Sequence, residues 1–134
     1  MTVNMKKNIL LVEDDAITAL VEQQQLRAYG YSVVHVSSGR DALEKILAPE
    51  SSFDLILMDI DLGSEIDGTL VAEEILKHKD IPVVFLTSHT EPEVVEKTEK
   101  ITSFGYVVKN TGIVVLDASI KMAFRLYEEK LSVQ

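Results

Sequence analysis

The chain has 134 residues, 46% of them hydrophobic, which suffices for one compact core and leaves no room for a second independent domain. Its 22 acidic and 13 basic residues give a net charge of −9, so nothing in the charge balance favours direct binding of DNA or RNA through phosphates. Cysteine is absent, which removes disulfide frameworks, thiolate metal sites and cysteine nucleophiles together and fits a cytoplasmic setting.

Lys6 and Lys7 precede an apolar run, Ile9 to Val12, that stops at Glu13-Asp14-Asp15; it is too short for a signal peptide or for membrane insertion. From there, short apolar runs alternate with longer segments of helical periodicity, the pattern of βα units around a parallel sheet covered on both faces. The first strand spans Asn8 to Val12. Ala16 to Ala28 then places Ile17, Leu20, Val21 and Gln24 at helical spacing, and Gly30 follows as a left-handed stop. The second strand, Ser32 to Val36, leads to a helix from Gly39 to Leu47, halted near Pro49. Asp54 to Met58 is the third strand, and the third helix, Leu70 to Lys77, offers Val71, Ile75 and Leu76 to the sheet. After a fourth strand, Val83 to Leu86, Thr90-Glu91-Pro92-Glu93 combines capping-box spacing with a first-turn proline and opens the fourth helix. Tyr106 to Val108 is the fifth strand. The fifth helix runs from about Val114 to Lys130, with Val115, Ala118, Ile120, Met122, Phe124 and Leu126 as its apolar face.

An open parallel sheet binds ligands beyond the carboxyl ends of its strands. Glu13, Asp14 and Asp15 follow the first strand, and Asp59 follows the third, with Asp61 and Asp67 further along that loop. Thr87 and Ser88 follow the fourth strand, and Lys109 follows the fifth. Clustered carboxylates disfavour one another's ionisation unless a cation neutralises them. An all-oxygen ligand set suits Mg²⁺, which takes one or two carboxylates together with phosphate oxygens. Phosphoryl transfer to Asp59 would then need positioning and charge stabilisation, with a hydroxyl bond from Thr87 and an ion pair from Lys109. Taken singly, each residue has a plainer reading: helix caps for Asp14 or Asp15, a loop carboxylate for Asp59, a solvated cation for Lys109. The ordered set is what points to chemistry.

ILLVEDD, FDLILMDIDLGSEIDG, PVVFLTS and FGYVVK, in that order from Asn8 to about Tyr127, resemble the response-regulator receiver family. The resemblance implies a doubly wound, flavodoxin-like (βα)5 fold with a five-stranded parallel sheet in the order 2-1-3-4-5, and one receiver domain over 1–134 with its core at about 8–127. Residues 128–134 read as the start of a linker to a further module. By the same resemblance Asp59 is the phosphoacceptor, and the phosphoryl donor is a sensor histidine kinase or histidine phosphotransfer protein. Asp14 and Asp59 bind Mg²⁺ directly, Glu13 through water and Asp61 through its backbone carbonyl, leaving Asp15 as a helix cap. Thr87 and Lys109 contact the phosphoryl group. Thr87 also acts with Tyr106 as a switch that reshapes the face of the fourth helix, fifth strand and fifth helix for a downstream effector, or for a homodimer. Such a chain is a switch and not a turnover enzyme.

Two departures from the family pattern stand out. Asn110 occupies the position after the lysine where the family usually has proline, often in a cis peptide. That predicts either a trans bond with a rearranged loop or a strained exception, since a non-proline cis bond costs about 3–4 kcal/mol. The loop after Asp59 carries Gly63 where proline is usual and is one residue longer before Gly68. Asp61 and His89 hold positions that tune phosphoryl lifetime in the family, with solvated loop side chains as the plainer reading, and His35 and His78 read as structural. A haloacid-dehalogenase-type phosphohydrolase, with Asp59 as nucleophile and Asp61 as general acid, is the rival reading. It is opposed by the acidic pair lying before the nucleophile strand, by Gly63 and by the lack of a cap insertion. A degenerate receiver acting as a constitutive interaction module is the third.

Overall fold

Ile9-Leu10-Leu11-Val12 and Leu55-Ile56-Leu57-Met58 carry no polar residue on either face, so both runs need cover from above and below. The computed structural model, which describes residues 6–62, 67–88, 91–102 and 104–133, supplies that cover with five βα units. The strands are β1 (Asn8–Val12), β2 (Ser32–Val36), β3 (Leu55–Asp59), β4 (Val83–Thr87) and β5 (Tyr106–Val108). The helices are α1 (Ala16–Ala28), α2 (Gly39–Leu47), α3 (Gly68–His78), α4 (Pro92–Ile101) and α5 (Ile113–Ser132). All strand pairs are parallel and the order is β2-β1-β3-β4-β5, the expected doubly wound arrangement.

Alternation along the strands divides the core in two. Leu10, Val12, Ile56, Met58, Val83 and Phe85 face α2 and α3, where Ala42, Ile46, Val71, Ala72 and Ile75 meet them. Ile9, Leu11, Leu55, Leu57, Val84 and Leu86 face α1 and α5, against Ala19, Leu26, Leu116, Ile120 and Ala123. Among these, Val71 and Ile75 belong to the expected face of α3, and Leu76 packs partly buried beside them.

The periodic apolar residues of α1 are not its buried ones, and the apolar face expected of α5 needs correction. Ile17, Leu20 and Val21 are exposed at 76%, 56% and 45%, and the residues turned inward are Ala19 and Leu26. On α5, Ile120 is buried and Phe124 partly so, but Val115, Met122 and Leu126 lie outside; Leu116 and Ala123 take the inner positions. Small alanines let these helices lie close to the sheet, a packing choice that counting large apolar residues overlooks. Denaturant unfolding checks the corrected face. Leu26→Ala should cost about 3 kcal/mol, as large-to-small changes in cores do, whereas Leu20→Gln should stay within about 0.5 kcal/mol.

Boundaries shift for local reasons. β3 and β4 each run one residue further than expected, because Asp59 pairs with Leu86 and Thr87 with Val108. Asp54 instead accepts the Asn8 backbone N–H on its side chain at the start of β3. α3 begins two residues early because Asp67 caps it, its Oδ1 accepting from the N–H groups of Thr69 and Leu70. Asp15 caps α1 and Gly30, at φ 98°, ends its turn, both as expected. In α4, Pro92 holds the first helical position and Glu91 is the N-cap; Thr90, Gly63 and His89 lie outside the described residues.

Candidate functional site

The carboxyl ends of β1, β3, β4 and β5 bring Glu13, Asp14, Asp59, Thr87 and Lys109 to one edge of the sheet. Glu13 and Asp59 are fully buried, Thr87 is buried, Lys109 is partly buried and Asp14 is exposed. The Lys109 ammonium lies 2.8 Å from Glu13 Oε1 and 2.9 Å from Asp59 Oδ2. It therefore bridges two carboxylates that would otherwise repel inside the fold. The other Asp59 oxygen, Oδ1, accepts the Asp61 backbone N–H at 3.1 Å. Glu13 is held from three further directions. Its N–H donates to the Val36 carbonyl, its carbonyl oxygen lies 2.7 Å from His35 Nε2, and its Oε2 accepts from the Asp15 N–H. His35 and His78 are structural in this sense, His78 lying 3.5 Å from Glu74 on the same helix.

Burial pushes the Asp59 carboxyl up to about 8, helped by its hydrogen bond with Glu13 and opposed by Lys109. Burial acts the same way on Glu13, but the hydrogen bond with Asp59 and the Lys109 ammonium outweigh it and hold that carboxyl below its ordinary value. The two neighbouring carboxyls are thus pushed in opposite directions, Asp59 up and Glu13 down. Desolvation beside the buried Glu13, and then Glu13 itself, raise the Asp14 carboxyl, while the two carboxylates hold Lys109 above its ordinary value despite burial.

One carboxylate oxygen each from Glu13, Asp14 and Asp59 falls within a 4.8 Å cluster. Hard oxygen donors gathered at one point, with more negative charge than a single lysine can balance, fit a hard divalent cation such as Mg²⁺.

Asn110 resolves the first departure from the family pattern. No cis peptide occurs among the described residues, and Asn110 instead adopts φ 68°. Gly112, at φ 95°, makes a second left-handed step before α5. Asparagine tolerates that region better than other side chains, so the chain turns without a proline. Lys109 itself is fixed by its backbone N–H, which donates to the Thr87 carbonyl at 2.8 Å. Tyr106, on the edge strand opposite Phe85, is 36% exposed.

Two features escaped the sequence reading. An ideal Cβ at Gly68 would lie 2.0 Å from the Asp59 carbonyl oxygen, so only glycine lets α3 begin against the backbone of Asp59. The Gly68 N–H also donates to the Ile60 carbonyl at 2.8 Å. Glu22, on the inner side of α1, lines a cavity of about 380 Å³ with Ile17, Val21, Gln25, Lys109 and Asn110. Burial and then the Glu13 charge push its carboxyl up to about 7. The spacing Ala19, Glu22, Leu26 marks that stripe, but an acidic residue within it masked the pattern.

The model of the response regulator receiver domain matches residues 9–121. The chain is 33% identical to the transcriptional regulatory protein ZraR of Escherichia coli over 117 residues, which cover 87% of this chain and 26% of that protein. It is 30% identical to the transcriptional regulatory protein PdtaR of Mycobacterium tuberculosis over 124 residues, 92% of this chain and 59% of that one. It therefore spans about a quarter of the first relative and less than two thirds of the second. Among solved structures, the N-terminal domain of a response regulator/sensory box/GGDEF 3-domain protein from Carboxydothermus hydrogenoformans superposes with a TM-score of 0.84 at 45% identity. That superposition covers 93% of this chain and 99% of that one.

Proposed function

The chain belongs to the response regulator receiver family, a family of two-component signalling modules, and from that premise we propose that it is a phosphorylation switch with Asp59 as acceptor. The observation that carries this reading is the Lys109 ammonium set between Glu13 and Asp59 at the strand ends. In the proposed transfer, the N–P bond of a phosphohistidine on a kinase or phosphotransfer protein breaks as a bond forms between phosphorus and an Asp59 carboxylate oxygen. The freed imidazole retains the electron pair of the broken bond. Deprotonated Asp59 is required as nucleophile, and Lys109 favours that form. Lys109 and the Thr87 hydroxyl then pair with the transferred phosphoryl oxygens. Glu13, Asp14, Asp59 and the Asp61 backbone carbonyl are the residues that would hold Mg²⁺. When bound, it supplies charge neutralisation for the carboxylates and the incoming phosphoryl oxygens.

The added group brings roughly −1.5 to −2 charges. Thr87 and Lys109 move toward it, Tyr106 turns inward, and the α4, β5 and α5 face changes for a downstream partner or a second copy. We assign the chain to the cytoplasm as a single receiver domain. Among the described residues no helix is long and apolar enough to cross a membrane. The transcriptional roles named for ZraR and PdtaR belong to those longer proteins.

Incubation with Mg²⁺ and radiolabelled acetyl phosphate should place about one phosphoryl group on each chain, in line with covalent capture by one nucleophile. Rapid multiple turnover with little bound label would favour the phosphohydrolase reading, and no Mg²⁺-dependent label at all would favour the degenerate receiver.

A further inference from the structure

α4 is weakly anchored for a helix of this fold. Thr98 is its one fully buried residue, and the Thr98 hydroxyl is spent on the Val95 carbonyl of the same helix. Val94 and Ile101 are only partly buried against the core. Against that background, Lys97 reaches across to α3, and its ammonium lies 2.9 Å from Asp67 Oδ2. Asp67 is bound on its other side, where Oδ1 caps the Thr69 and Leu70 N–H groups at 2.9 and 3.1 Å. The next residue is Gly68, which packs on the Asp59 carbonyl and donates to Ile60. A polar tie from α4 thus ends, one residue later, on the backbone of the proposed acceptor.

We propose that Lys97 and Asp67 are a positioning pair that joins α4 to the backbone at Asp59, so that events at the acceptor are felt in α4 through this tie. The proposal rests on Asp59 and its neighbours forming the cation and phosphoryl site. The asymmetry of Asp67 supports it: one oxygen fixes the start of α3 and the other is left for Lys97, whose charge also helps hold the Asp67 carboxyl below its ordinary value against burial. Exposed ion pairs between freely moving side chains contribute little. Here one partner is already immobilised by two backbone N–H groups, so less ordering is lost in forming the pair.

Amide spectra of the whole chain titrated with Mg²⁺ alone provide the test. In the native chain, amides at Glu13 to Asp15 and Asp59 to Asp61 should shift, and so should those at Gly68 to Leu70 and at Lys97 and Thr98. Lys97→Gln should silence the α4 response and raise the Mg²⁺ dissociation constant about two- to fivefold, the span an exposed pair can supply. Asp67→Asn keeps a capping oxygen while removing the charge and should do the same, and Lys97→Arg should restore both readouts. An α4 response that survives in Lys97→Gln and Asp67→Asn, at unchanged affinity, overturns the tie and leaves the site intact. Absence of any shift at Asp59 to Asp61 in the native chain removes the cation site itself, and the tie with it. Denaturant midpoints of Lys97→Gln and Asp67→Asn should fall only by the small amount that loss of one exposed pair allows, so that a lost α4 response is not a sign of general unfolding.

Discussion

Asp59→Asn should abolish covalent labelling by acetyl phosphate and by a phosphohistidine donor while making the metal-free protein more resistant to heat. Both effects come from the same carboxylate. An amide oxygen is too weak a nucleophile to take the phosphoryl group, and residual stoichiometric label in the variant would mean that a second carboxylate accepts it. The gain in stability follows from burial. Folding raises the Asp59 carboxyl from 3.8 to about 8, so between those values the folded chain holds a proton that the unfolded chain releases. Through this group, stability is greatest below the lower value and declines as pH rises toward the upper one. Asparagine has the same shape and no such titration. Melting temperatures in EDTA should therefore diverge as pH rises from about 5 to about 8, with Asp59→Asn above the native chain. Mg²⁺ should narrow the gap by stabilising the native chain more, since a ligand bound only by the folded state adds stability by mass action.

Much of this site is legible in the sequence because of where parallel strands end. Apolar runs that stop abruptly at Glu13, Asp59, Thr87 and Lys109 place those side chains at one sheet edge once the runs are read as strands of one sheet. The fold's order of elements is legible for the same reason, and Asp15, Gly30 and Pro92 mark helix ends through local backbone chemistry alone. What periodicity could not supply is which of two apolar stripes a helix buries. On α1 the stripe with larger side chains is outside, because close approach to the sheet selects Ala19 over Ile17. Gly68 and Glu22 were hidden for a related reason. Their importance lies in the Asp59 carbonyl packed against Gly68 and in the Glu13 charge acting on Glu22, each across an intervening loop, and no local pattern records such proximity. The α3 start shows the intermediate case: Asp67-Gly68 before an apolar run is a cap signal, but its second tie, to Lys97, requires α4 to be in place.

Lys109→Met should produce the largest loss of metal-free stability among substitutions at the site, and Mg²⁺ should repair most of it. Methionine keeps the aliphatic stem and removes the ammonium that lies within 2.9 Å of both Glu13 and Asp59. Two buried carboxylates then face each other without a counterion, a loss of about 3 kcal/mol for breaking a buried pair. Protonation limits the damage: without Lys109, Asp59 holds its proton more tightly, so the loss should shrink as pH falls and deepen as pH rises. A divalent cation drawn to Glu13, Asp14 and Asp59 supplies positive charge to the same oxygens. The Mg²⁺-induced rise in melting temperature should therefore be greater for Lys109→Met than for the native chain. Repair of stability should not bring full repair of signalling. Even in saturating Mg²⁺, Lys109→Met lacks the ammonium that pairs with the transferred phosphoryl oxygens. Label should still reach Asp59, but the coupled shifts in Tyr106 and α4 should be lost. Equal Mg²⁺ stabilisation of the two chains would mean that lysine and cation act on different carboxylates, and that Lys109 is a structural bridge only.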